Sequence, residues 1–388
     1  MFRSKRSALV RRLWRCSRVV ATPADQNADS KNRSEESELE KDFKATAQSF
    51  LKRLKESQLE QLVEAVESRG GDHTDCVLFP QGEIRLGRRT VDPHVLCCQL
   101  FRWPDVKHVG ELKKLYFNCK SSRASGDETN SGHVCCNPYH LSRLCRPESP
   151  PPPYSRYPVK RPQDEETHKA GLSSASHTSM LDKRDWTNES TETGNTPTEL
   201  QEPYAPHSDA EEDELHRRRH WCNVAYWENR TRVGRMYTVF NDHVNIFLEL
   251  PHGNGFCLGL LHRENRSEPV VRTRMKIGCG LTLSLESDGV WAYNRSNYAL
   301  FVNSLTLNWP PSRTFRVCRI EPGFSLKIYD FAKSKLLELD KREPQPPDGP
   351  INTRSIQISF IKGWGPRYSR QFITSCPCWL EVILSPPR

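Results

Sequence analysis

The sequence predicts an α+β protein of two folded domains joined by a polar linker. Three observations carry this. Apolar residues recur at helical spacing from Phe43 to Val66, short β-type runs separated by turn residues fill the C-terminal half, and residues 147 to 216 between them hold few aliphatic side chains. A length of 388 residues fits two or three domains. At 27% charged and 36% hydrophobic the chain is too polar for a membrane protein, yet nine Trp, fifteen Phe and eleven Tyr are too many for one without a packed core. No stretch reaches the ~18 to 20 apolar residues of a transmembrane span. The opening MFRSKRSALVRRLWR has no apolar signal-peptide core. An intracellular chain is expected, in which the fourteen cysteines act as thiols or metal ligands rather than as a disulfide framework.

In chain order, residues 1 to 43 read as a basic, disordered arm. Its first twenty residues carry a net +7, and residues 21 to 41 are mostly polar. Phe43, Ala47, Phe50, Leu51 and Leu54 then mark one short helix, and Leu59, Leu62, Val63 and Val66 a second. Ser57 and Glu60 have capping-box spacing between them, and Arg69-Gly70-Gly71 ends the pair. Cys76 to Leu86 is strand-like, Val95 to Trp103 is a buried apolar run, and Glu111 to Phe117 is a short element. This first domain spans 44–146 with a net +4.

Residues 147–219 form a disordered Pro-, Ser- and acid-rich linker, with a net −9 over 148 to 216. The second domain, 220–388, carries +11 from Arg217 onward and so seeks phosphates or acidic partners. Its β-runs are Val224/Tyr226, Met236 to Phe240, Phe256 to Leu261, Leu281/Leu283, Val290 to Tyr293, Leu300 to Val302, Ile356 to Phe360 and Trp379 to Ile383. One helix, Phe331 to Leu339, interrupts them, as in a β-sandwich decorated with helices.

Three motifs bear on function. Cys135 and His140 lie five apart with Cys76 and Cys119 upstream, a thiolate and imidazole set suited to a tetrahedral metal site. Cys97, Cys98, Cys136 and Cys145 compete as ligands, and all could instead be buried apolar thiols. For Cys376 and Cys378, core packing is the better reading. Pro151, Pro152 and Tyr154 make a PPxY segment, pre-extended as polyproline II for a WW-domain groove, or else a stiff spacer. Arg272, Arg274 and Lys276, with Lys362, Arg367 and Arg370 around Gly363-Trp364-Gly365, could line one phosphopeptide groove or be a solvated face. No GxSxG, HExxH or P-loop occurs, and the Gly253, Gly255, Gly259 series misses the dinucleotide spacing by one, so the chain reads as a non-enzyme.

The segments FRWPD (101–105), VCCNPYH (134–140), HWCNVAYWENRTRVGR (220–235), GFCLG (255–259), KIGCG (276–280), FIKGWG (360–365) and RQFITSCPCWLEV (370–382) together resemble a Smad protein. The resemblance implies a zinc-containing N-terminal Mad-homology domain and a C-terminal Mad-homology β-sandwich with a helical cap. The chain closes on Leu384-Ser385-Pro386-Pro387-Arg388, where receptor-activated Smads carry a phosphorylated Ser-x-Ser tail. Residues 80–89 keep basic side chains but not the family's DNA-reading hairpin sequence. With MFRSKRSALVRRLWR and ESPPPPYSR, these departures resemble the inhibitory Smads, antagonists of TGF-β and BMP signalling.

That resemblance implies one structural zinc on Cys76, Cys119, Cys135 and His140. It implies a groove of Arg272, Lys276, Lys362 and Arg370 for phosphorylated type I receptors, and recruitment of Smurf-type HECT ubiquitin ligases through Pro151, Pro152 and Tyr154. It also implies competition with other Smads, weak DNA binding, no membrane insertion, and residence in nucleus and cytoplasm with recruitment to the plasma membrane by activated receptors. A DNA-binding co-regulator acting through the N-terminal domain is the alternative.

Overall fold

The structure, a computed structural model, describes residues 5–17, 30–71, 73–86, 89–119, 132–145, 220–249, 254–308, 316–340 and 353–386. In the N-terminal part, helix α1 (Lys5–Cys16) occupies what the sequence suggested was a disordered arm. Leu9 and Leu13, one turn apart, bury themselves in the core formed by α2 (Ser30–Leu51) and α3 (Glu56–Ser68). On the flank of that stripe, Arg12 pairs with Glu67 at 2.6 Å and Lys5 with Glu60 at 2.5 Å. The basic residues of the arm therefore help seat a helix. Helix α2 also starts ahead of the expected Phe43, because residues 30 to 41 hold no Gly or Pro and are rich in Glu, Lys and Ser.

The expected pattern holds on the inner faces, where Ala47, Phe50, Leu51, Leu59 and Leu62 are sealed from solvent. The start of α3 differs from the capping-box expectation. Its cap is at Lys55, whose backbone N–H donates to the Gln58 side-chain oxygen at 2.7 Å. Arg69, with φ +52°, ends the helix in the left-handed region.

Strands β1 (Leu78–Pro80), β2 (Ile84–Leu86) and β3 (Arg89–Val91) follow. The apolar run near Val95 forms helix α4 (Pro93–Phe101), opened by a first-turn proline and buried along Val95, Leu96, Cys97, Cys98, Leu100 and Phe101. Then come β4 (Leu112–Lys114), β5 (His133–Cys135) and β6 (Leu141–Leu144).

The C-terminal part is a sandwich. Its strands are β7 (Cys222–Glu228), β8 (Thr231–Arg232), β9 (Tyr237–Val239), β10 (His243–Phe247), β11 (Phe256–Cys257), β12 (Leu281–Glu286), β13 (Gly289–Asn294), β14 (Leu300–Ser304), β15 (Cys318–Ile320), β16 (Phe324–Asp330), β17 (Ser355–Phe360) and β18 (Trp379–Leu384). Helices α5 (Glu268–Arg274) and α6 (Phe331–Asp340) cap it. One sheet runs β15-β14-β17-β18-β7-β8 with β9 paired to β7, and the other runs β11-β10-β12-β13-β16. Val224, Val302, Ile358 and Leu380 of the first meet Ile246, Leu283, Ala292 and Ile328 of the second in one core. This is the period-2 alternation read inward on both sheets.

The second sheet does not end at β16. It continues through β6 and β4 of the N-terminal part, with β6 parallel to β16 in the register Arg143 to Phe324 and Leu144 to Ser325. Lys113 bonds Glu286 at 2.6 Å across this junction, Arg295 donates to the Gly70 carbonyl at 2.9 Å, and Phe117 stacks on His243. Among the described residues no helix is long and apolar enough to cross a membrane.

Candidate metal centre and cationic surface

The Cys/His cluster is assembled by the register of two sequence-distant strands and one turn. Antiparallel β1 and β5 pair Leu78 with Cys135, so Cys76, two residues before Leu78, lies beside the turn that follows Cys135. Cys136 N–H donates to the Val77 carbonyl at 2.7 Å. Buried Asn137 then closes the turn, since its amide donates to Thr74 Oγ1 and the Asp75 carbonyl while its oxygen accepts the Tyr139 N–H. That turn swings His140 back toward Cys135. Leu115 N–H bonds the His140 carbonyl, and Cys119 N–H bonds the Leu115 carbonyl, which places the fourth ligand.

The donor atoms of Cys76, Cys119, Cys135 and His140 all lie within 4.8 Å of one another. Cys76 Sγ is 3.9 Å from Cys119 Sγ, and His140 Nδ1 is 3.5 Å from both Cys76 Sγ and Cys135 Sγ. A tetrahedron with metal–sulfur bonds of about 2.3 Å and metal–nitrogen bonds of about 2.0 to 2.1 Å separates its donors by roughly 3.5 to 3.8 Å. The far ring nitrogen, Nε2, donates to the Thr74 carbonyl at 3.0 Å, which leaves Nδ1 as the ligand atom. Hydrogen bonding to Cys119 and Cys76, with burial, pushes the Cys135 thiol up, so a cation is needed to make the set anionic. The residues fit a divalent metal. Cys97, Cys98, Cys136 and Cys145 stand outside the cluster, and the first three are sealed in the core.

The second site is a surface. Lys276 follows α5, exposed, with its ammonium 5.4 Å from the ring centroid of Tyr298. Arg272, exposed on α5, pairs with Glu268 one turn earlier. From the other side, Ile361 donates its N–H to the Ala299 carbonyl, beside Tyr298, at 3.0 Å, and holds φ +68°, a strained value for a β-branched residue. That twist releases the chain from β17 into a loop bearing Lys362, Arg367 and Arg370. Trp364 is buried beneath the loop, and Gly365 N–H bonds the Arg370 carbonyl at 2.7 Å. A Cβ on Gly363 would come within 2.4 Å of the Tyr368 ring, so this position requires glycine. Lower down, Cys378 Sγ donates to the Val270 carbonyl of α5 at 3.7 Å. Both cation-bearing segments thus abut the turn Ser296–Ala299, and Cys376 and Cys378 are core thiols, burial pushing Cys378 up to about 12.

The MH1 domain family matches residues 43–145 and the MH2 domain family residues 219–385. Mothers against decapentaplegic homolog 6 of Gallus gallus is 46% identical, covering 99% of this chain and 99% of that one. Homolog 7 of Homo sapiens is 45% identical and that of Mus musculus 46%, each covering 89% of this chain and 79% of its own. The chain belongs to the inhibitory Smads. A chain from a crystal structure of STAT2 in complex with IRF9 aligns at TM-score 0.31 and 10% identity over 43% of this chain and 91% of that one, a likeness too slight to inform the fold. As an inhibitory Smad the chain works in TGF-β and BMP signalling, in a family of signalling proteins.

For this Smad the structure also corrects one cation. Arg274, grouped with the surface set by sequence spacing, is buried and bonds the Glu228 carboxylate at 3.3 Å. Arg266 reaches the same carboxylate at 2.8 Å and Arg263 at 3.4 Å. Glu228, itself sealed from solvent, is a structural hub that sequence reasoning missed. Its one signal is an acid closing a strand whose other residues, Asn223 apart, are apolar or aromatic. The PPxY residues Pro151, Pro152 and Tyr154 lie outside the described residues. Strands β2 and β3 pair antiparallel, Arg85 opposite Thr90.

Proposed function

We propose that this inhibitory Smad antagonises signalling by occupying phosphorylated type I receptors through Arg272, Lys276, Lys362 and Arg370. The observation that carries the reading is the convergence of two cationic segments, sequence-distant, on the single turn Ser296–Ala299. Phosphoserine and phosphothreonine carry about −1.5 to −2 charges each, so charge-assisted bonds to such cations form only after receptor activation. The Pro151-Pro152-Pro153-Tyr154 segment would recruit Smurf-type HECT ligases, and competition with activating Smads would add to antagonism. The metal held by Cys76, Cys119, Cys135 and His140 would be zinc, one per chain and structural, because four protein ligands leave no open position for water. The protein would act in nucleus and cytoplasm and be drawn to the plasma membrane by activated receptors.

The test is a pull-down of the full chain with phosphorylated and unphosphorylated type I receptor. Retention by the phosphorylated form alone supports the reading, and equal retention by both removes it. DNA binding through the N-terminal domain is the second reading, favoured by the antiparallel pairing of β2 with β3, on which Arg85 is exposed. A salt-titrated DNA-binding assay separates it, since phosphate contacts give a steep salt slope.

A further inference from the structure

Among the described residues, three large apolar side chains are more than half exposed: Leu260 at 73%, Met275 at 76% and Phe372 at 66%. A single exposed hydrophobe is ordinary, but all three sit on, or are tied to, the segments that carry the surface cations. Met275 immediately precedes Lys276, and its N–H donates to the Val271 carbonyl at 3.1 Å, so the helical turn of α5 continues through it. Val271, also exposed, precedes Arg272 in the same way. The apolar pair Val271 and Met275 therefore runs along α5 beside the cationic pair Arg272 and Lys276, each pair spaced by one turn. Leu260 closes the turn Leu258–Leu260, whose first carbonyl accepts from Arg274, next to Met275, at 2.9 Å. On the second segment Phe372 follows Arg370 by two residues. Its neighbour Ile373 enters the small core around Trp364, whereas Phe372 stays in solvent.

Met, aromatic residues and Arg are the types enriched where interfaces bury surface. A phosphate alone would leave Met275 and Phe372 in water, and an apolar partner alone would desolvate Lys276 with no counter-charge. We propose that the cationic surface is one half of a composite site, whose partner is a phosphorylated peptide segment with large aliphatic side chains flanking the phosphorylated residue. The phosphate meets Lys276, Lys362 and Arg370, as in the receptor reading on which this inference rests. One aliphatic side chain lies on Val271 and Met275, and Phe372 receives a second beside Arg370. Phosphate then sets whether binding occurs, and the apolar contact sets which phosphorylated segment is held. Exposed Glu268, paired with Arg272, breaks the positive surface, which suits a discrete phosphate better than an anionic membrane.

The experiment follows the fluorescence anisotropy of short labelled peptides titrated with the full chain. Each carries one central serine, phosphorylated or not, flanked on both sides by Leu or by Ser. The Leu-flanked phosphopeptide should bind about tenfold more tightly than the Ser-flanked one, as expected for partly burying two Leu side chains. Met275→Ser with Phe372→Ser should erase most of that preference and leave the Ser-flanked phosphopeptide unchanged, whereas Met275→Leu should keep it. Both residues are exposed, so thermal melts of the variants should match wild type, and if one does not, the wild-type comparison of peptides still decides. Equal binding of the two phosphopeptides overturns the composite site and leaves phosphate recognition standing. Binding of the Leu-flanked peptide regardless of phosphate removes the receptor reading, and the composite site with it. The proposal also falls if the double variant keeps the full preference, or if phosphatidylserine vesicles hold wild type and neither phosphopeptide binds.

Discussion

The Lys276 ammonium lies over the ring of Tyr298, 5.4 Å from its centroid, and Tyr298 is held from behind by fully buried Asn294, whose amide donates to the Tyr298 carbonyl at 2.8 Å. Ser296 Oγ adds a second bond to that carbonyl at 2.7 Å. The turn between the two cationic segments is therefore rigid, while Tyr298 as a residue is 41% exposed. A fixed, exposed aromatic beside a lysine is the kind of anchor that carries binding energy at interfaces. Tyr298→Ala should weaken phosphorylated-receptor binding by about 1 to 2 kcal/mol, with the melting temperature nearly unchanged. An affinity series against phosphorylated receptor checks it, and undiminished binding would remove Tyr298 from the surface.

Lys362→Glu with Arg370→Glu should abolish binding and antagonism without unfolding the domain. Lys362 is exposed and Arg370 half-buried, whereas the loop is held by Trp364 and Gly363 beneath them. Binding by wild type should also weaken with salt, since the Debye length shrinks to about 8 Å at physiological ionic strength. The measurement is a receptor pull-down beside a thermal melt. Retained binding by the double variant contradicts the assignment.

Cys135→Ser or His140→Ala should release the metal and destabilise the N-terminal part, because each removes one of four converging donors. Metal analysis of the purified chain should return about one zinc per chain for wild type. A metal-free, fully folded wild-type protein would end this expectation.

Helix α1 offers a pH-dependent contact. Hydrogen bonding from Arg12 holds the Glu67 carboxyl below its ordinary value of 4.5. A carboxyl depressed in the folded state adds stability above its unfolded value and loses it as pH falls through the lowered one. The pair is nearly half exposed, so solvent screens it and α1 should loosen only slightly as pH falls below 4.5. Leu13→Ala, at 1% exposure, should cost far more, about 2 to 5 kcal/mol. Amide exchange in α1 across the pH range reads both.

Replacing Glu228 by Gln should destabilise the sandwich by about 3 to 5 kcal/mol, since it leaves three arginines around a buried site with no counter-charge. Chemical denaturation checks this, and a loss below about 1 kcal/mol would show that water replaces the carboxylate.

Local pattern was enough to read much of this fold. The alternation at Ile356, Ile358 and Phe360 and the helical stripe at Phe50, Leu51 and Leu54 appear where the spacing places them, because a period of two or 3.6 needs only neighbouring residues. The resemblance likewise pointed to Cys76, Cys119, Cys135 and His140, whose donor atoms the fold brings within 4.8 Å of one another. Helix α5 escaped notice, being seven residues long with too few turns to show a stripe. Folding also separated Arg274 from Lys276: two residues apart in sequence, one turns into a buried carboxylate and the other into solvent. The pairing of β6 with β16 joins residues almost two hundred positions apart. Backbone hydrogen bonds are indifferent to side-chain identity, so no periodicity in either strand names its partner, and only the packed chain brings the two edges together.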